Sequence, residues 1–191
     1  RNAATIGGNI ANGSPIGDSM PPLMAIGTPV ALRNGNARRE LPLENLYHDY
    51  MKNDLAPGEF VESIKIPLPV PSQTVAAYKI SKRFDQDISA VCMGISVHVT
   101  DRKMHDVRVA LGGMAGTVQR AKGCEAALEN QLIDKRIFES AAEALVQDFT
   151  PMTDMRATAD YRTQVASNLI RRFGRSLAEP NEPLEVYSHG R

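Results

Sequence analysis

Two short stretches hold the residues able to do chemistry. The first is Ala4-Thr5-Ile6-Gly7-Gly8-Asn9-Ile10-Ala11-Asn12-Gly13-Ser14-Pro15-Ile16-Gly17-Asp18, which carries four of the chain's 14 glycines. Glycine admits positive φ and close approach by another group. Successive backbone N–H groups in such a turn form a concavity that holds an anion. Thr5, Asn9, Asn12 and Ser14 add short hydrogen-bonding side chains, and Asp18 adds a carboxylate. The second stretch, Lys79-Ile80-Ser81-Lys82-Arg83-Phe84-Asp85-Gln86-Asp87, packs three cations and two anions into nine residues. The chemistry such residues support is the holding of an anionic, phosphate-bearing cofactor.

Each stretch has a plainer reading beside it. A Gly/Asn cluster is commonly a turn between elements, and a charged strand end with ion pairs contributes little. The first stretch is not the dinucleotide fingerprint, because Gly7-Gly8 and Gly13 miss its spacing and no strand precedes them. No Gly-Lys-Ser/Thr follows, so it is not a nucleotide-hydrolase phosphate loop either. The stretch has no helical or strand period, yet its Ile6, Ile10 and Ile16 are apolar, which predicts a folded loop pinned to a core. No Ser/His/Asp set, Cys/His pair or paired carboxylates stand out as a catalytic group. Cys92 and Cys124 are far apart, which argues against a zinc or iron–sulfur site. They fit a reducing cytoplasm better than a secreted scaffold. His48, His98, His105 and His189 are scattered, so no metal is expected.

Composition bounds the remaining choices. A chain of 191 residues, 42% hydrophobic, makes one domain or two small ones with a real core. Its 22 basic and 22 acidic residues balance, which points away from nucleic acid and from an anionic membrane surface. No apolar run reaches the roughly 18 residues that span a bilayer. The sequence begins at Arg1, inside a motif, so further chain is expected upstream.

The elements that must carry the two stretches can be read in order. Residues 17–26 predict a short helix with Pro21 and Pro22 near its start and Gly27 after its end. Asp18 would then sit near the N-terminus of that helix, where a carboxylate is favoured. Pro29 to Arg33 and Ala37 to Leu41 flank Asn34-Gly35-Asn36 as a hairpin. Leu43 to Tyr47 reads as a helical turn. Glu59 to Ile66 reads as a strand, with Phe60, Ile64 and Ile66 on one face and Val61 on the other. Pro67, Pro69 and Pro71 end it, and a junction falls at 69–72. Beyond lie a strand over Val75 to Arg83 and two alternating strands over 90–99 and 106–111, joined by a turn at Thr100–Lys103. These make an antiparallel sheet with one face covered. Helices over Gln119 to Asn130, Lys135 to Asp148 and Thr158 to Ala178 form the cover. The last carries a stripe of Tyr161, Val165, Leu169 and Phe173.

Three motifs together resemble a known family. Arg1-Asn2-Ala3-Ala4-Thr5-Ile6-Gly7-Gly8-Asn9-Ile10 with Ser14-Pro15-Ile16-Gly17-Asp18 resembles the second flavin loop of molybdenum hydroxylase FAD-binding subunits. Within that family the likeness is to the small subunits of bacterial xanthine dehydrogenases. Tyr78-Lys79-Ile80-Ser81-Lys82-Arg83-Phe84-Asp85-Gln86-Asp87-Ile88-Ser89 and Leu111-Gly112-Gly113-Met114-Ala115 resemble the same group, in the same order.

The resemblance implies an α+β chain in two parts. Residues 1–68 would be the second half of a PCMH-type FAD-binding domain and 69–72 a linker. Residues 73–178 would be a CO-dehydrogenase-flavoprotein-like C-terminal domain, and 179–191 a tail. It implies FAD as cofactor, with Thr5, Gly8 and Asn9 at its phosphate or ribityl portion and Asp18 hydrogen-bonded to it. Val61 would lie against the ring, and Lys79 would touch the flavin from the second part. It further implies an oxidoreductase of purine catabolism in the cytoplasm. Electrons would pass from 2Fe-2S clusters to FAD and on to NAD. The clusters, the other half of the FAD site and a molybdenum-cofactor subunit would lie elsewhere in the complex. This segment alone is then expected to be inactive. Phe84 and Gln86 depart from the acidic residues common in animal xanthine dehydrogenases, which leaves the loop's effect on flavin potential and NAD access open. FAD subunits of carbon monoxide dehydrogenase, nicotinate dehydrogenase or hydroxybenzoyl-CoA reductase, and a subunit-docking module without a cofactor role, are the alternatives.

Overall fold

The computed structural model of the protein describes residues 4–84 and 86–182. Arg1, Asn2 and Ala3 of the first motif, Asp85 of the second and residues 183–191 of the expected tail fall outside them. The N-terminal half opens with α1 (Ile6–Asn12) and α2 (Met20–Ala25). It continues through β1 (Pro29–Asn34), β2 (Ala37–Pro42), a 3₁₀ turn (Leu43–Asn45), β3 (Tyr47–Asp49), β4 (Lys52–Asn53) and β5 (Phe60–Ile64). β1 is the centre of an antiparallel sheet ordered β2-β1-β5, and β3 and β4 form a separate small ribbon. Asn34 pairs with Ala37, so the hairpin turns on Gly35-Asn36.

The C-terminal half is a four-stranded antiparallel sheet in sequential order, β6 (Gln73–Ile80), β7 (Val91–Thr100), β8 (Lys103–Gly112) and β9 (Gln119–Arg120). Three helices follow, α3 (Lys122–Leu128), α4 (Lys135–Asp148) and α5 (Ala159–Ala178). The helix expected from Gln119 starts later because Gln119 and Arg120 pair with Leu111 and Ala110 as a short strand. The Asp134 side chain caps α4 by accepting from Arg136 N, and Thr158 caps α5 by accepting from Tyr161 N.

Alternation sets the main core. Met93, Ile95 and Val97 of β7 and Val107, Val109 and Leu111 of β8 face Phe138, Leu145, Ile170 and Phe173 of the helices. Tyr161 lies off this face and is exposed, and Arg162 takes its place in the interior. The other face of the sheet is covered too, which the alternation did not predict. Cys92, Gly94 and Ser96 are buried there, because α2 crosses that face. A Cβ at Gly94 would stand 2.4 Å from the Pro21 carbonyl oxygen and 2.6 Å from Pro22 Cα. Glycine at this position is what lets α2 lie on the sheet.

α2 also belongs to the smaller core. Met20, Leu23 and Met24 pack with Val30, Leu32, Leu43 and Leu46, and Ala110 and Val118 reach into the same cluster from the C-terminal half. The two halves therefore share buried surface. Polar groups tie the seam as well. Arg108 Nη2 donates to Glu44 Oε1 at 2.7 Å, Arg120 Nη1 to the same oxygen at 3.1 Å, and Arg120 Nε to Glu125 Oε1 at 2.7 Å.

Candidate functional site

The glycine-rich stretch folds as a helix, where a loop was expected. Thr5 caps α1, its Oγ1 accepting from Gly8 N at 3.0 Å, and the helix ends at Gly13, whose N–H donates to Asn9 O and Ile10 O. Two glycines in seven residues weaken any isolated helix. This one is held from outside. Ile10 is buried, Tyr47 Oη donates to Ile10 O at 2.9 Å, and Asn53 Nδ2 donates to Ala11 O at 2.8 Å. Ile6 is exposed and Ile16 half-buried, so only Ile10 is the expected core pin.

The first turn of α1 lies beside β5. Thr5, Ile6 and Gly7 line an open cleft of about 210 Å³ with Val61, Glu62, Ser63 and Ile64. Val61 reaches this position through a β-bulge. Leu32 pairs with Val61 but Ala31 pairs with Ser63, so Glu62 is the extra residue. The bulge splits the expected apolar face. Val61 and Ile64 pack against the smaller core, whereas Phe60 and Ile66 are exposed.

Asp18 precedes α2, but the N-cap position is Ser19 and no side-chain cap bond forms. The Asp18 carboxylate instead joins the two chemical stretches. Its Oδ2 accepts from Lys79 Nζ at 2.7 Å and its Oδ1 from Ser89 Oγ at 2.5 Å. Lys79 Nζ donates a second bond to Asp87 O at 2.8 Å, which folds the loop after β6 back over the strand. The hydrogen bond it donates to Asp18 holds the Lys79 ammonium above its ordinary pKa. Next to Asp18, Ser19 Oγ donates to Asn9 Oδ1 at 2.5 Å. A continuous polar chain thus runs from Asn9 through Ser19 and Asp18 to Lys79 and Ser89. Among the expected site residues, Asp18 and Lys79 are linked directly, Asn9 joins them only through Ser19, Thr5 and Gly8 lie at the start of the same short helix as Asn9, and Val61 lines the cleft there.

These residues fit an FAD. An ammonium has three N–H groups, and among the described residues Lys79 spends two of them, on Asp18 and Asp87. The Asp18 carboxylate accepts one bond on each oxygen, leaving lone pairs for a ribityl or ring donor. The Thr5 hydroxyl accepts from Gly8 and keeps its own proton to donate. The N–H groups of Ile6 and Gly7 have no intrahelical acceptor. The N–H groups of Gly8 and Asn9 are spent inside α1, which leaves only the lack of bulk at Gly8 and the side chain of Asn9 to offer a ligand. Among the described residues no cluster of three or more His, Cys, Asp and Glu gathers as a metal site, and no helix is long and apolar enough to cross a membrane.

Two further polar residues, Ser89 and Arg162, were not singled out in the sequence. Ser89 closes the Tyr78–Ser89 run but has no period of its own, and Arg162 lies in a helix where arginine is ordinarily solvated. A buried position at the spacing of Ala166, Leu169 and Phe173 was the one available signal for Arg162.

Comparison with known proteins identifies the two parts of the chain. Residues 1–69 match the FAD binding domain in molybdopterin dehydrogenase, and residues 76–177 match the CO dehydrogenase flavoprotein C-terminal domain. The chain is 33% identical over 180 residues to nicotinate hydroxylase of Emericella nidulans, covering 91% of this chain and 13% of that protein. It is 31% identical over 177 residues to xanthine dehydrogenase of the same organism, again covering 91% and 13%. Among solved structures, carbon monoxide dehydrogenase from Hydrogenophaga pseudoflava, in a form lacking the Mo-pyranopterin moiety of the molybdenum cofactor, superposes with a TM-score of 0.84 at 28% identity. That match covers 90% of this chain and 60% of that one.

Proposed function

We propose a function from one premise: the chain belongs to the flavoprotein family of the molybdopterin dehydrogenases, with an FAD-binding domain followed by a CO dehydrogenase flavoprotein C-terminal domain. Our reading is that it binds FAD across the seam between residues 1–68 and 73–178, with 69–72 as the link, inside a longer molybdenum hydroxylase. The observation that carries this is the Asp18–Lys79 pair at 2.7 Å, which joins the glycine-rich helix region to the strand of the second half.

The chemistry that bound FAD supplies is redox, the uptake of electrons from iron–sulfur clusters and the delivery of a hydride to NAD. This chain's residues bind and orient. Thr5, with Gly8 and Asn9, takes the phosphate or ribityl portion, where Gly8 leaves room and Thr5 and Asn9 supply polar atoms. Asp18 accepts a hydrogen bond, and Lys79 donates its third N–H to the flavin. Val61 offers an apolar surface to the ring. With FAD bound, the Lys79 cation would favour electron-rich forms of the group it holds.

We further propose that the complete protein is a xanthine dehydrogenase of purine catabolism, cytoplasmic, working with molybdenum-cofactor and iron–sulfur parts outside this chain. The Tyr78–Ser89 run supports that substrate. The nicotinate hydroxylase relative supports a second reading with the same flavin site and nicotinate as substrate. Assaying the full-length protein with xanthine and with nicotinate, with NAD as acceptor, separates them. FAD titration of the same protein tests the site: binding that survives Asp18→Ala together with Lys79→Ala would favour a docking module.

A further inference from the structure

The Leu111-Gly112-Gly113-Met114-Ala115 motif and the buried Arg162 have no part in the site described so far, yet they meet behind it. Arg162 is 1% exposed. Its Nη1 donates to the carbonyl of Ala90 and, at 2.9 Å, to that of Gly113, and its Nη2 donates to Asp154 Oδ1 at 2.7 Å. The two carbonyls belong to the two segments that hold Asp18. Ala90 follows Ser89, whose hydroxyl donates to Asp18 Oδ1. The Gly113 N–H donates at 2.7 Å to the carbonyl of Pro15, in the loop that leads into Asp18. Gly113 has a φ of +83°, and a Cβ there would stand 2.2 Å from Ala90 O. Only glycine lets the two carbonyls share one guanidinium.

Stability alone gives little reason for an arginine here. A buried ion pair is often matched or exceeded by apolar side chains of similar volume. What the guanidinium adds is direction, since its donors lie in a fixed planar fork. In Arg162 that fork is aimed at two loops from different elements. We propose that Arg162 is a positioning residue for the cofactor site. By clamping the Ala90 and Gly113 carbonyls it fixes the Ser89 and Pro15 segments, and these hold the Asp18 carboxylate against Lys79. The proposal rests on the reading of Asp18 and Lys79 as flavin contacts.

The test is a double-mutant cycle of Arg162→Lys and Ser89→Ala in the full-length protein that contains this chain, read by FAD affinity and by flavin midpoint potential. Each single variant is expected to weaken FAD binding roughly threefold to tenfold and to shift the potential. The double variant should be no worse than the weaker single, because both substitutions break the same chain of contacts. Additive losses, or an Arg162→Lys protein with unchanged affinity and potential, would overturn the proposal. If Arg162→Lys does not fold, the cycle of Asp154→Asn with Ser89→Ala decides the same question with the arginine in place. Asp18→Ala and Lys79→Ala serve as the reference. If they leave FAD affinity unchanged, the cofactor reading itself has failed; if they weaken it while the cycle is additive, only the clamp has failed.

Discussion

The ammonium of Lys79 lies 2.7 Å from the Asp18 carboxylate across 61 positions of chain, and both side chains are about two-fifths exposed. A pair so open to water contributes little to the fold, about 0.5 kcal/mol. Its position at the seam of the two halves is what distinguishes it.

Lys79→Ala should therefore separate binding from stability. The melting temperature is expected to stay within about 3 °C of wild type, since a change of about 0.5 kcal/mol moves a chain of this size little. FAD affinity of the full-length protein should fall roughly tenfold, the value of one charge-assisted hydrogen bond. Fluorescence titration with FAD and a thermal melt on the same sample check both. A large drop in melting temperature with intact affinity would reverse the assignment.

Gly94→Ala should loosen the joint between the halves. The added methyl group meets backbone atoms of Pro21 and Pro22, which cannot rotate away as a side chain would. Overpacking of this kind costs about 1–3 kcal/mol. Urea unfolding should place Gly94→Ala at the upper part of that range.

Glu44 makes the seam sensitive to acid. Burial pushes its carboxyl pKa up, but hydrogen bonding to its own backbone N–H and the guanidinium groups of Arg108 and Arg120 outweigh this and hold it below the usual carboxylate range. Asp154 is held at about 2 against burial, by the Arg156 N–H and side chain, the Ala157 N–H and Arg162. A carboxyl with a depressed folded-state pKa contributes stability above its unfolded pKa and loses it as pH falls through the folded value. Stability should accordingly decline from about pH 4.5 toward pH 2. Glu44→Gln should lower stability by about 2 kcal/mol at pH 7 and flatten the upper part of that decline. Denaturation midpoints at several pH values test it, and identical pH slopes in both proteins would refute it.

Both cysteines should be inert in the native protein. Burial, then the neighbouring Asp18 charge, pushes the Cys92 thiol up to about 12, and burial pushes Cys124 upward as well. The thiolate is the reactive form. Iodoacetamide at pH 8 is expected to label neither residue until the chain is unfolded, as mass spectrometry would read out.

Much of the architecture was legible because it is local. The alternation over 90–99 and 106–111 is a period of two that one buried face enforces, and it became β7 and β8. Thr158 and Asp134 cap the helices they precede, because a cap needs only the next turn of chain. The family likeness was legible for the same reason, since its motifs are short runs.

What the sequence by itself determined, then, is the main strands and capped helices of the C-terminal half and which short runs carry polar chemistry. The tertiary structure alone decided where those runs meet. α1 exists because Tyr47 and Asn53 hold its carbonyls. Val61 faces the smaller core because Glu62 bulges out of a ladder that β1 defines. Asp18 finds Lys79, and Arg162 finds Ala90 and Gly113, across tens of residues of chain. Local pattern encodes which side of an element is apolar. It carries no information about which distant donor or acceptor that side will be packed against, because that choice is made by the whole core at once.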